Sequence, residues 1–193
     1  MAIGINGLGR IGRLVLKDFF GGLNRNFNNN GICISHLNDP NCDINNLCHL
    51  LKYDSVHGKW NADISQVNKK TISINGQKII LTNHKKPNEV NWDLADCKIV
   101  LDCTGKFLTK KKIKEYFHSN IKKVIVSAPV NDPEILNIVF GVNEQLYNPK
   151  IHNIVTAASC TTNCLAPIVS IIHKNFEILK GQITTIHNPT NTN

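Results

Sequence analysis

The sequence predicts an α/β protein built on a doubly wound parallel sheet. Three observations carry this reading. Short apolar runs alternate with helical patterns along most of the 193 residues, the runs are too apolar to face water on either side, and a glycine-rich turn joins the first run to the first helix. Strands buried on both faces read as continuous apolar runs, and pairing them in parallel requires helical crossovers.

The elements follow in order. Residues 2–5 form the first strand, and residues 11–20 the first helix, with Ile11, Leu14, Val15, Leu16 and Phe19 on the face that packs on the sheet. Gly21-Gly22 ends that helix, and the Asn-rich stretch 24–30 reads as a tolerated surface insertion. Residues 32–37 form the second strand, stopped by Asn38-Asp39-Pro40, and 44–51 a helix. Residues 71–74 and 78–81 make a hairpin about Asn75-Gly76-Gln77, read as an antiparallel excursion, because Asn-Gly tolerates positive φ. Further strands are expected at 99–101, 124–126, 138–140 and 154–156, with helices at 110–117 and 133–136.

Composition narrows the class. The chain is 41% hydrophobic and 19% charged, as soluble globular proteins are. No stretch approaches the roughly 18 apolar residues of a membrane span. The N-terminus lacks the basic and apolar regions of a secretory signal, so a cytoplasmic location is the default expectation. Seven cysteines without framework spacing fit a reducing compartment better than a disulfide scaffold. The net charge of +8 concentrates in Lys110-Lys111-Lys112, Lys114 and Lys122-Lys123, but no aromatic residues are interleaved for base stacking. A solvated helix face is therefore expected there rather than a nucleic-acid site.

Asn6-Gly7-Leu8-Gly9-Arg10-Ile11-Gly12-Arg13 is the dinucleotide fingerprint of a Rossmann-type domain, placed between strand and helix. Gly7 permits the tight turn, Gly9 the approach of a pyrophosphate, and Gly12 the close packing of helix on strand. The helix N-terminus adds free N–H donors and a partial positive charge. Asp39, at the end of the second strand, is placed to accept hydrogen bonds from the ribose hydroxyls. It lies 27 residues after Gly12 rather than the usual ~20, and the Asn-rich insertion accounts for the surplus. A carboxylate there repels a 2′-phosphate, so NAD is expected over NADP.

Ala157-Ala158-Ser159-Cys160-Thr161-Thr162-Asn163-Cys164 follows an apolar strand and precedes a helical pattern. Ser159 is a good N-cap, and a thiol at a helix N-terminus is expected to ionise more readily. Cys164 lies one turn further on. Without additional ligands the pair does not make a closed zinc site, and no metal is expected.

With these residues the sequence resembles the phosphorylating glyceraldehyde-3-phosphate dehydrogenases, whose signature is Ala-Ser-Cys-Thr-Thr-Asn-Cys. Residues 6–13, Asn38-Asp39, Tyr53-Asp54-Ser55-Val56-His57-Gly58, Thr104-Gly105-Lys106-Phe107, Ser127-Ala128-Pro129 and Thr184-Thr185-Ile186-His187 match family segments in order, so the resemblance covers the whole chain. It implies that Cys160 attacks the aldehyde of glyceraldehyde 3-phosphate, that His187 is its base, and that inorganic phosphate cleaves the resulting thioester. Further implied roles are Ser159 and Thr161 at the inorganic phosphate, Thr190 at the substrate phosphate, Arg10 and Ile11 at the pyrophosphate through their backbone, and Thr104 and Ser127 along the cofactor groove. Cys164 is implied to be structural and His57 to anchor a loop.

The family's full-length members are implied to be homotetramers. Residues 1–158 are then the NAD-binding domain and 159–193 the truncated start of an α+β catalytic domain, with the chain inactive alone. Two departures stand out: Asn188-Pro189 replaces the family's Ala-Tyr after His187, and Lys85 stands where many members carry an adenine-contacting Arg. The alternatives are erythrose-4-phosphate dehydrogenase, which shares both motifs, and a silent NAD-binding or RNA-binding remnant.

Overall fold

The computed structural model describes residues 1–21 and 31–186. Period-two alternation puts Ile5 of β1 (Ala2–Asn6) against one core and Asn6 on the opposite face, so this central strand is covered on both sides. Next come α1 (Arg10–Gly21), β2 (Cys33–Asn38) and α2 (Ile44–Lys52), the last started by the Asp43 carboxylate, which accepts from the Asn45 and Asn46 N–H groups. A two-stranded ribbon, β3 (Tyr53–Asp54) with β4 (Gly58–Lys59), leads to β5 (Ile64–Asn68), β6 (Thr71–Ile74) and β7 (Gln77–Thr82). The rest of the sheet is β8 (Cys97–Asp102), β9 (Lys123–Val126), β10 (Leu136–Asn137) and β11 (Ile154–Thr156). The last two helices are α3 (Lys110–Ile113), continued by a 3₁₀ turn through His118, and α4 (Cys160–Phe176).

Among the described residues the strands form a nine-stranded sheet in the order β10-β11-β9-β8-β1-β2-β7-β6-β5. The seven strands from β10 to β7 run parallel, and β6 and β5 close one edge antiparallel. Leu16 of α1 and Leu47 and Leu51 of α2 fill one face against Ile5, Ile34 and Leu37. Ile113, Tyr116 and Trp92 fill the other against Val100, Val124 and Val126. This is the doubly wound α/β architecture expected of a Rossmann-type domain.

Four details differ from expectation. The hairpin turns through Asn75 and Gly76, both at positive φ, yet its second strand is no excursion, because β7 joins the main sheet parallel to β2. β5 is a polar, exposed edge strand that apolar patterning could not reveal. Residues 133–136 are not helical, and the strand expected at 138–140 lies instead at Leu136–Asn137. There the Asn137 carboxamide exchanges hydrogen bonds with both backbone groups of Val130, while Asn143 bonds the Val139 N–H and the Asn137 carbonyl. These side chains take the place of ladder partners, and the strand stops early. Gly22 and the stretch 24–30 lie outside the described residues.

Candidate functional site

The strand order reverses at β1: β2 and β7 extend one way, β8 and β9 the other, which opens a crevice at the carboxyl ends of the strands. A cleft of about 520 Å³ occupies that position, lined by Gly7, Gly9, Asp39, Lys85 and Thr104, all expected there, and by Asn6, His84 and Cys103, which were not.

The fingerprint glycines meet the steric demands assigned to them. Gly7 has φ +92°, and a Cβ there would stand 2.8 Å from backbone atoms of Cys103 and Thr104. A Cβ on Gly12 would lie 2.0 Å from the Gly7 carbonyl oxygen, so the helix approaches the turn too closely for any side chain. A Cβ on Gly9 would meet no protein atom within 4 Å, so its demand for glycine does not come from the fold. Arg10 and Ile11 start α1, where the first N–H groups have no intrahelical acceptor. These features fit a dinucleotide pyrophosphate.

Asp39 is already braced: Oδ2 accepts from the Leu8 N–H at 2.8 Å and Oδ1 from the Asn41 N–H at 2.9 Å. Across the cleft, Thr104 donates both its N–H and its hydroxyl to Asp102 Oδ1, at 2.9 and 2.7 Å. Ser127 is outside the lining but donates its N–H to the Asp102 carbonyl directly beneath that wall. Burial raises the Asp102 pKa, with the Thr104 bonds acting against it. Burial likewise pushes the Cys103 thiol to about 11.

Beneath the cleft runs a feature that spacing could not disclose. The last residues of all seven parallel strands pair in a single register row, Thr82–Asn38–Asn6–Asp102–Val126–Thr156–Asn137, and all but Val126 are polar. Asn6 donates to the Tyr116 hydroxyl at 2.5 Å, Asn38 to Asn6 Oδ1 at 2.8 Å, and the Thr82 hydroxyl to Asn38 Oδ1 at 2.9 Å. Burial and then the Asp102 charge raise the Tyr116 pKa.

Cys160 is exposed and begins α4 at the same edge of the sheet. Ser159 caps the helix, accepting from the Thr162 N–H at 3.0 Å, and its hydroxyl lies 3.0 Å from that of Thr161 and 2.7 Å from that of Thr162. The preceding Ala158 has φ +56°, which turns the chain from β11 into the helix. β11 is two places from β8, so at ~4.8 Å per strand Cys160 starts about 10 Å along the sheet from the Thr104 wall. His187 and Thr190 lie outside the described residues. Among those described, no group of acidic, His or Cys side chains is placed to hold a metal.

Beyond the sheet, α4 and residues 183–186 enclose a trough of about 640 Å³ lined by Leu165, Val169, Ile183 and Ile186. Ile171 is 64% exposed, Phe176 81% and Leu179 92%.

Comparison with known proteins gives matches over the same regions. A family model described as glyceraldehyde 3-phosphate dehydrogenase, NAD binding domain, matches residues 1–110, and one described as the C-terminal domain of that dehydrogenase matches residues 159–193. Among similar proteins, glyceraldehyde-3-phosphate dehydrogenase 3 of Nostoc sp. is 43% identical over 190 residues, covering 98% of this chain and 54% of the relative. The glyceraldehyde-3-phosphate dehydrogenase of Geobacillus stearothermophilus is 41% identical over 189 residues, with 98% and 53% covered. A relative in Chondrus crispus described as cytosolic is 40% identical over 191 residues, again with 98% and 53% covered. The chain spans about half the length of the curated relatives it matches.

Proposed function

The chain belongs to the glyceraldehyde-3-phosphate dehydrogenase family, and from that premise we propose that residues 1–158 bind NAD and residues 159–193 contribute the nucleophile for phosphorylating oxidation of glyceraldehyde 3-phosphate to 1,3-bisphosphoglycerate. One observation carries the proposal: the cleft braced by Gly7, Gly9 and Asp39 and the helix start bearing Cys160 open from the same edge of one sheet.

Arg10 and Ile11 offer backbone N–H groups to the pyrophosphate, Asp39 takes the ribose hydroxyls, Lys85 and Thr104 line opposite walls, and Ser127 supports the Thr104 wall. NAD, when bound, supplies the hydride acceptor. The Cys160 sulfur adds to the aldehyde carbon, giving a hemithioacetal on the protein. His187 is assigned the base that removes the hydroxyl proton as hydride leaves, so that the carbon becomes a thioester. Ser159 and Thr161 present hydroxyls to inorganic phosphate, whose oxygen displaces the Cys160 thiolate, and Thr190 is assigned to the substrate phosphate.

The cytosolic relative supports a cytoplasmic assignment. Among the described residues no helix is long and apolar enough to cross a membrane. Homotetramer formation is proposed for the assembled enzyme. The chain alone is proposed to be inactive, because the C-terminal domain model is matched over 35 residues only and the α4 trough is open. Losing the walls that fix the aldehyde costs several kcal/mol of transition-state binding, and each 1.36 kcal/mol is about a tenfold loss of rate.

Two measurements test this. Calorimetry on the purified chain should show NAD bound at least about tenfold more tightly than NADP, roughly 1.4 kcal/mol, and equal affinities would remove Asp39 from its role. NADH formation with NAD, phosphate and substrate should fall far below that of a full-length relative. Turnover by the chain within about tenfold of that relative, abolished by Cys160→Ser, would show that these residues assemble the whole site.

A further inference from the structure

Asn38 adjoins the acidic residue assigned to the ribose, yet its own side chain is only 1% exposed and faces the interior. All four hydrogen-bonding positions of its carboxamide are filled. Nδ2 donates to Asn6 Oδ1 at 2.8 Å and to the His84 carbonyl at 3.0 Å, while Oδ1 accepts from the Thr82 hydroxyl at 2.9 Å and from the His84 N–H at 2.9 Å. The two bonds to His84 engage both backbone groups of one residue, as a neighbouring strand would. They do so just beyond the end of β7, where the ladder to β2 has stopped.

His84 and Lys85 are exposed and form the cleft wall facing Gly7 and Gly9. Asn6, a second partner of the carboxamide, ends the strand that leads into the glycine turn. One buried carboxamide therefore ties the fingerprint strand to the opposite wall.

We infer that Asn38 is a positioning residue for the adenosine half of the dinucleotide, holding the His84–Lys85 wall at its binding distance before any ligand arrives. The inference rests on the proposal that this cleft binds NAD. A wall set in advance spares binding the cost of ordering a loop.

The test combines exchange with calorimetry on the intact chain, using ADP-ribose as the probe. In the free chain the His84 amide should exchange slowly despite the exposure of its side chain, with little change when ADP-ribose is added. An amide that exchanges freely and becomes protected only with ADP-ribose would overturn the inference without any substitution having been made. Asn38→Ala should then weaken ADP-ribose binding about tenfold, the scale set by leaving buried polar groups unpaired. The loss should largely vanish in a Lys85→Ala background, because the variant acts through the wall that Lys85 occupies. Fully additive effects would reduce Asn38 to a general stabiliser. Failure of the wild-type chain to bind either ADP-ribose or NAD would instead overturn the cofactor reading itself.

Discussion

At the scale of single residues, environment divides the cysteines sharply. Burial raises the thiol pKa of Cys97 to about 11 and, helped by the nearby Asp39 and Asp43 charges, that of Cys42 to about 12, so each is held as an inert thiol at neutral pH. Cys160 is exposed in the first turn of α4, beside N–H groups that have no intrahelical acceptor. Brief treatment with iodoacetamide near pH 7 should therefore label Cys160 first, and Cys97, Cys42 and Cys103 last, as read by mass spectrometry. Labelling of Cys160 no faster than Cys97 would mean that the helix start does not activate it in this chain. Cys160 and Gly7, Gly9 and Gly12 were legible in the sequence because a signature or a local steric demand marks each one. Asn38 and Asp102 were not, since their importance arises from register between strands separated by 32 and 96 residues from Asn6.

At the scale of elements, the turn from β1 into α1 separates folding from binding within one motif. Gly12→Ala would place a carbon 2.0 Å from the Gly7 carbonyl, forcing helix and strand apart. Overpacking of that kind costs about 1–3 kcal/mol or more. Gly9→Ala meets nothing in the protein, so its thermal midpoint should match wild type within a few degrees while NAD affinity falls at least about tenfold, roughly 1.4 kcal/mol. Melting curves and calorimetry on the two variants distinguish the cases, and a destabilised Gly9→Ala or a fully stable Gly12→Ala would contradict the assignment. The β1–α1–β2 unit was readable because its apolar periodicity and its glycines agree. The 130–143 segment was misread because asparagine side chains supply hydrogen bonds that periodicity attributes to backbone partners.

At the scale of the whole molecule, stability should depend on pH through His36. This imidazole has 0% exposure, packs on the Trp92 ring at 4.9 Å and meets the Thr82 hydroxyl at 2.9 Å. Burial, then the charge of His84, lowers its pKa from 6.5 to about 4. The unfolded chain takes up this proton as pH falls below 6.5, whereas the folded chain resists until about 4, so stability is lost as pH drops through that window. The loss approaches roughly 3 kcal/mol near pH 4, and a His36→Gln variant should show a flatter pH dependence by that amount in urea unfolding. Equal pH slopes for the two proteins would exclude His36 as the source. The parallel sheet and its covering helices were legible as a pattern, but the position of β7 beside β2 was not, because pairing across the sheet leaves no local trace. The central place of β1 also carries a consequence for biosynthesis. One flank of β1 can be closed by β2, itself backed by β7 once residue 82 has emerged from the ribosome, whereas the other has no partner until Cys97–Asp102 is made. At about 5–20 residues per second the nascent chain bears that bare flank for a second or more after β7 is complete. Any factor that shields new chains from premature pairing would find a target along β1.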